Sequence, residues 1–512
     1  MRKAGKNSLL KIIVSISGIV VLSKILAFAK NIVMAVTFGA SIETDLITLA
    51  NLLLANTEYV ITQTLATAFV PIYIGVKGET TGLEKKTFVS NAIKLFLIVA
   101  SGFTLILVVG SPILAKIIAP TYESEAARIL SSYIKILAPI LISFLLQSLF
   151  KALLNAHERY IPGALISAIG SILMIAIIFL FSSSIGTDTI IVGLWMGSAI
   201  GVLFLGVFSK KYWSITKGNP FRDSNIIALL KLCVPLLFGY AMIFINQQID
   251  KIIVSSMEDG TVTAMHYGNS VSQLVVTVLA SFCMVMYTRL SVNSAQGERK
   301  HNASFIINTS SIAFTLLLPI TVVTILCSKD IIRIVYERGA FDANATQIAA
   351  EALMGYGIMF IPFTIKNLFS RYLYSNKNTK APVKNNIIGI VFNIGLSLAL
   401  FKPLGVFGVT FASSMAELVT GILNVGASRR INPHINLRNW INNAKYWGAG
   451  CVLCVVAILT TQKYILQGIH SPYIRFPVCA VIGILFYAIP CFRLIKTIIK
   501  LGVSSPSISA SQ

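Results

Sequence analysis

Two lysines, Lys24 and Lys30, interrupt the first apolar run of this 512-residue chain. A charged side chain there costs several kcal/mol if it faces hydrocarbon. The two are six residues apart, about 240° around a helix, so they share a broad sector rather than a tight stripe. The next apolar run opens on Asp45 and carries Asn51, Asn56, Glu58, Thr62, Gln63, Thr64 and Thr67. A helix this polar cannot lie against lipid; it must line water or pack on a polar neighbour. On one account the lysines are structural, with Lys24 snorkelling or pairing with Asp45 or Glu58. On the other they line a cationic cavity, which suits an anionic substrate such as a phosphate or diphosphate. Two lysines deep in one run, beside a polar run, favour the cavity.

Other chemistry is sparse. Asn246, Gln247, Gln248 and Asp250 end a later run, and His266, Asn269 and Ser270 open the one after it. Asp250, Asn393 and Ser413 have the oxygen donors that a small hard cation requires. The five histidines are scattered without metal-ligand spacing, and there is no Gly-rich ATP loop. Cys451-Val-Leu-Cys454 is spaced like a redox or zinc pair but lies in an apolar run without a second pair, so it reads as packing. Lys94, Lys135, Lys231 and Lys366 lie nearer the ends of apolar runs, where snorkelling explains them. No residue set resembles an enzyme's active site, and no organic cofactor is expected. Transport would draw on an ion gradient, the membrane potential or the substrate's own gradient.

The elements that hold these residues follow from composition. The chain is 55% hydrophobic and 12% charged, with a mean hydropathy of +0.80, whereas a soluble chain carries roughly a quarter charged residues. Apolar runs of about twenty residues match the thickness of a bilayer. They predict spans over 12–37, 45–75, 89–115, 129–155, 161–183, 189–209, 225–255, 262–288, 303–327, 347–374, 383–401, 405–428, 445–463 and 475–498. The fold class is therefore an all-α integral membrane protein with about fourteen transmembrane helices. The first run follows a basic start and lacks a small-residue cleavage site, so it reads as a retained span.

A net charge of +23 would suggest nucleic acid in a soluble protein. Here the basic residues cluster in alternate loops, among them Lys85, Lys86, Arg159, Lys210, Lys211, Lys217, Arg222, Arg371 and Lys377. The loops at 39–44, 182–188 and 258–261 have no Lys or Arg. This asymmetry orients both termini to the cytoplasm, and no nucleic-acid partner is expected. The segment Lys151 to Pro162 aligns without gaps on Arg371 to Pro382, each ending a span, crossing a cytoplasmic loop and opening the next span with Pro. This predicts two parallel six-span lobes around a central cavity. The expected domains are a first lobe 1–210, a basic cytoplasmic loop 211–222, a second lobe 223–430, two further spans in 431–500 and a polar tail 501–512. Asp330 to Tyr336 has helical spacing of apolar residues and predicts a short helix lying on the outer leaflet.

Several stretches in order resemble the MurJ (MviN) family of bacterial lipid II flippases, within the multidrug/oligosaccharidyl-lipid/polysaccharide exporter superfamily. They are Ser23-Lys-Ile-Leu-Ala-Phe-Ala-Lys30, Phe38-Gly-Ala-Ser-Ile-Glu-Thr-Asp45, Ala68-Phe-Val-Pro71, Arg338-Gly-Ala-Phe341, Thr379-Lys-Ala-Pro-Val-Lys384 and Pro403-Leu-Gly405. The resemblance implies a V-shaped, two-lobe transporter that moves an undecaprenyl-diphosphate-linked peptidoglycan precursor across the cytoplasmic membrane by alternating access. The last two spans would form a groove for the lipid tail, and we expect a monomer. Lys24 and Lys30 stand where the family has functional arginines, and Asp45 keeps its acidic residue. The implied substrate wall is Lys24, Lys30, Asp45, Asn51, Glu58, Gln63, Asn269 and Ser270. The family's sodium site transfers to Asp250, Asn393, the Val409 backbone and Ser413, with Ser397 where a carboxylate is expected, so Na+ is the expected coupling ion.

The chain departs from the family pattern at the second-span arginine (Thr57 and Glu58 here), at an E-G-A element (Thr62-Gln63-Thr64) and at a D-R pair (Asn269-Ser270). Arg and Lys are not interchangeable where diphosphate is held bidentately. The rival readings are therefore a flippase for a capsule, teichoic-acid or other exopolysaccharide unit, and a multidrug or cation antiporter. The antiporter would need an acidic cavity. A membrane glycosyltransferase would need a catalytic residue in a large outer loop, and the longest here is about seventeen residues.

Overall fold

The computed structural model describes residues 6–76, 83–295 and 299–503, all helix and connecting turns. The expected polar tail after 503 and the basic residues Arg2, Lys3 and Lys77 lie outside the described residues, as do the side chains of Asn246, Gln247 and Gln248. Two compact units emerge, one of residues 1–263 with 339–341, the other of 264–338 with 342–512.

The first unit contains α1 (Lys6–Phe38), α2 (Ile42–Gly75), α3 (Leu83–Ile118), α4 (Ser124–Leu137), α5 (Ile140–Ala156), α6 (Ile161–Ile185), α7 (Thr189–Ser209) and α8 (Ser224–Val254). Nearly all of α9 (Thr261–Ala295) belongs to the second unit, with α10 (Arg299–Leu326), α11 (Ser328–Val335), α12 (Ala343–Ile358), α13 (Phe360–Ser375), α14 (Lys380–Ile431), α15 (Arg438–Thr460) and α16 (Pro472–Val503). Among the described residues eight helical stretches are long and apolar enough to cross a bilayer, or ten if each of two bent pairs crosses once. Two of the eight run for 52 residues, about 78 Å of helix against a hydrocarbon core of about 30 Å. Both break at a glycine, Gly186 and Gly405.

Those breaks expose the repeat and correct its register. Gly186 (φ 54°, ψ −136°) and Gly405 (φ 56°, ψ −141°) share a conformation open almost only to glycine. They are 219 residues apart, as are Glu158 (φ 59°) and Lys377 (φ 60°), the only non-glycine residues with positive φ among those described. Each of the latter closes the same helix end, with Arg159 N–H donating to Leu154 O and Asn378 N–H to Leu373 O, both at 2.9 Å. The α4–α5 and α12–α13 pairs, each bent by 40°, begin at the same spacing. The gapless alignment of Lys151 with Arg371 is thus off by one. Its anchor is the proline, which sits at the second residue of α6 but the third of α14. Lys151 corresponds to Ser370, and Arg371 to Ala152.

Close backbone approach fixes other glycines. A Cβ on Gly39 (φ 66°) would run into the Ala340 carbonyl, and one on Gly355 into the Thr410 side chain. Ala340 N–H also donates to Val36 O at 2.8 Å, which seats the 339–341 turn on the end of α1. The helix expected over 330–336 forms as α11, and one side of it packs on protein. Asp330, Ile332 and Tyr336 are buried, and Arg475 of α16 pairs with Asp330 at 3.5 Å. Ile331, Ile334 and Val335 on the same helix remain only partly buried. Cys454 is fully buried, below Gly483 of α16, which agrees with a packing role.

Candidate functional site

The first helix is seated by Ser23, whose hydroxyl donates to Ile19 O at 2.8 Å and to Ala164 O of α6 at 3.1 Å. Lys24 beside it is exposed and Lys30 half-buried. Among the described residues neither has a carboxylate within 4 Å, so the structural alternative of a pair with Asp45 or Glu58 is not realised. Both acids are engaged elsewhere.

Asp45 has no exposed surface. Its carboxylate accepts the backbone N–H groups of Val262 (3.3 Å) and Thr263 (2.7 Å), and the Tyr122 hydroxyl at 3.5 Å. The first N–H groups of a helix have no intrahelical acceptor and carry the positive end of its dipole, so an aspartate there is doubly favoured. Asp45 therefore caps α9. Its own helix is capped by Ser41 and Thr44, whose side chains exchange bonds with each other's backbone.

Along α2 the polar series divides in two. The hydroxyls of Thr57, Thr64 and Thr67 each bond the carbonyl one turn back, at 2.8 Å, which satisfies them inside the helix. Thr62 meets Ser148 of α5 at 2.6 Å. Asn51, Glu58 and Gln63 remain half-buried. Glu58 lies within electrostatic reach of Lys151 on α5, a cation that the sequence reading used only as part of the repeat. A charge one turn from a span's end, opposite an acidic position in a polar helix, was the signal available.

Asn269 and Ser270 are half-buried on α9, where Asn269 accepts bonds from Ser272 and Gln273. Of the candidate sodium ligands, Asp250 belongs to the first unit. Asn393 (1% exposed), Val409 (0%) and Ser413 belong to the second, where the Ser397 hydroxyl donates to Asn393 Oδ1 at 3.5 Å.

Two lysines assigned to snorkelling prove to be tied down. Lys94 donates to the carbonyls of Thr216 and Gly218 and braces the 210–223 loop on α3. Lys366 pairs with Glu417 at 2.7 Å, between α13 and α14. Beyond them Asn424, fully buried, joins Asn385 and Ser370 at 2.8 Å each. A long aliphatic stem permits snorkelling, but a nearby acceptor is decisive, and the sequence does not reveal which helix supplies it.

The two ends of the first unit differ in charge. Where α2 and α4 begin, a cleft of about 990 Å3 is lined by Glu43, Glu123, Glu125, Asp188 and Asp259. At the other end His157 stacks on Tyr212 (3.7 Å between centroids) and bonds the Tyr73 hydroxyl at 2.8 Å. Burial first, then Lys85, Arg159 and Lys211, push the His157 pKa below its ordinary value.

The profile of the family described as Lipid II flippase MurJ matches residues 34–476. A probable lipid II flippase MurJ of Rhizobium tropici is 27% identical over 438 residues, covering 81% of this chain and 79% of that one. Its counterpart in Treponema pallidum is 21% identical over 487 residues, 91% of each chain. Among solved structures, lipid II flippase MurJ in an inward closed conformation superposes with a TM-score of 0.80 at 22% identity, covering 95% of this chain and all of that one. An inward-facing MATE family multidrug transporter of the MOP superfamily superposes at 0.66 and 12% identity, over 80% of this chain and 94% of that one.

Proposed function

This chain belongs to the lipid II flippase MurJ family, and from that membership we propose that it carries an undecaprenyl-diphosphate-linked peptidoglycan precursor from the cytoplasmic to the outer leaflet by alternating access. Proteins of this family are multi-pass transporters of the inner membrane that act on a lipid-linked substrate and catalyse no covalent reaction. The observation that carries the cargo reading is the pair Lys24 and Lys30, two intramembrane ammonium groups with no carboxylate within 4 Å among the described residues. A cation kept in a span without an internal counter-ion is balanced by its substrate, here a diphosphate.

Fourteen crossings, both termini in the cytoplasm and a monomeric working unit complete the proposal. Lys85, Arg159 and Lys211 around His157, at the end of the first unit away from the acidic cleft, support that orientation. The second reading, another diphosphate-linked glycan, is favoured by one specific feature: lysines stand where the family has arginines, and a lysine does not grip a diphosphate bidentately. Lysines rather than acids on α1 disfavour a cation antiporter.

Complementation of a strain depleted of its lipid II flippase tests cargo directly. The wild-type chain should restore growth, while Lys24→Ala and Lys30→Ala each abolish rescue with normal membrane levels of the protein. Full rescue by either variant removes the cationic wall from the mechanism. Failure of the wild-type chain, expressed and folded, moves the assignment to another glycan.

For coupling we propose Na+, with Asp250 of the first unit as the carboxylate that takes it. Asp250→Ala should then flatten the dependence of transport on external sodium in proteoliposomes. A sodium response equal to that of the unaltered chain would eliminate this site.

A further inference from the structure

Arg371 lies one turn before the end of α13 and turns toward α9. Its guanidinium rests over the Tyr287 ring, 5.7 Å from the centroid, and one terminal nitrogen donates to Met284 Sδ at 3.1 Å. Its Nε is buried with no acceptor. Among the described residues no carboxylate comes within 4 Å. A guanidinium presents five N–H donors in a planar fork matched to two oxygens at once. A thioether is a weak acceptor, and an aromatic face attracts the charge without meeting the donors. The group is therefore oriented and partly desolvated, with its Nε–H left without an acceptor, an arrangement that costs free energy unless another molecule completes it.

The place is open to such a molecule. Met284 is 55% exposed and Tyr374, the next aromatic on α13, is 37% exposed. Packing common to the two halves does not demand an arginine either, because the corrected register places Ala152 at the matching point of α5. One turn from the end of a span is the depth of lipid phosphates, at the boundary between hydrocarbon and headgroups.

We propose that Arg371, held flat by Tyr287, receives the phosphate ester of a lipid at the cytoplasmic end of the second unit. That phosphate belongs either to a membrane phospholipid or to the diphosphate of a polyprenyl carrier. Both present the same paired oxygens. Only the second source rests on the flippase reading.

The test uses the purified full chain in detergent, titrated separately with undecaprenyl diphosphate, phosphatidylglycerol and undecaprenol, with lipid binding read by native mass spectrometry. Arg371→Gln should weaken binding of at least one phosphate-bearing lipid about 10- to 100-fold, the range for charge-assisted hydrogen bonds, and leave undecaprenol unchanged. Loss confined to undecaprenyl diphosphate assigns the site to cargo. Loss for phosphatidylglycerol assigns it to bulk lipid, whatever the fate of the flippase reading. Affinities for both phosphate lipids within twofold of the unaltered chain would overturn the proposal. Should the Gln variant lose its melting transition, Arg371→Met fills the same space, removes the desolvated charge and is judged by the same criterion.

Discussion

Asp45→Ala should lose about 3–5 kcal/mol of stability, seen as a large fall in the melting temperature of the detergent-solubilised protein and in its level in the membrane. The magnitude follows from what the carboxylate serves. Two backbone N–H groups at the start of α9 and the Tyr122 hydroxyl point at it, and the side chain has no exposed surface. Truncation leaves buried donors without acceptors and removes a charge from the positive end of a helix dipole. Asp45→Asn retains one carbonyl oxygen that can accept the shorter bond, from Thr263, and should recover more than half of the loss. A substrate ligand would behave otherwise: Asp45→Ala would melt like the unaltered protein yet fail in transport, and that result would reject the capping role.

Lys366→Met should destabilise the second unit by about 2–3 kcal/mol, below the range for fully buried pairs because both partners keep 20–25% of their side-chain surface. The loss comes less from the missing attraction than from the carboxylate left behind. Glu417 Oε2 already lacks a hydrogen-bond partner, so without Lys366 the group is stranded. The double variant Lys366→Met/Glu417→Met, with neither charge, should therefore be more stable than the single change. Calorimetric melts of the three proteins check this. Additive losses in the double variant would mean that the two residues do not act as a pair. At the matching point of the first unit, 219 residues earlier, Gln147 donates to Ser198 O at 3.1 Å, so the same helix contact is made there without ions.

Much of the scaffold was readable in the chain because its physical causes are local. Twenty apolar residues must form a helix in a bilayer, since no other structure satisfies every backbone group within its own segment. The helical stretches accordingly follow the predicted runs, including the break at Pro403-Leu-Gly405. The repeat was also visible, but its register was not. Proline is conspicuous in a sequence and tolerates a shift of one residue in the first turn. The left-handed residues that mark equivalence, Glu158 and Lys377, carry no sign of it in their side chains.

The site shows the same division. Lys24 and Lys30 were legible as anomalies, because a cation in an apolar run conflicts with its surroundings whatever it touches. Sequence determined the all-helical membrane class of this protein and the family pattern those residues follow, and it marked Lys24 and Lys30 as cations in an apolar run. Only the tertiary structure decided which charges are already answered. Asp45 closes on the start of α9, Lys366 on Glu417, Lys94 on the 210–223 loop, and Glu58 faces Lys151, while Lys24, Lys30 and Arg371 meet no carboxylate within 4 Å among the described residues. The reason is range. Hydropathy and helix formation act over a few neighbours along the chain, whereas a hydrogen bond or ion pair requires two groups within a few ångströms, and which distant helix supplies the second group is settled by packing.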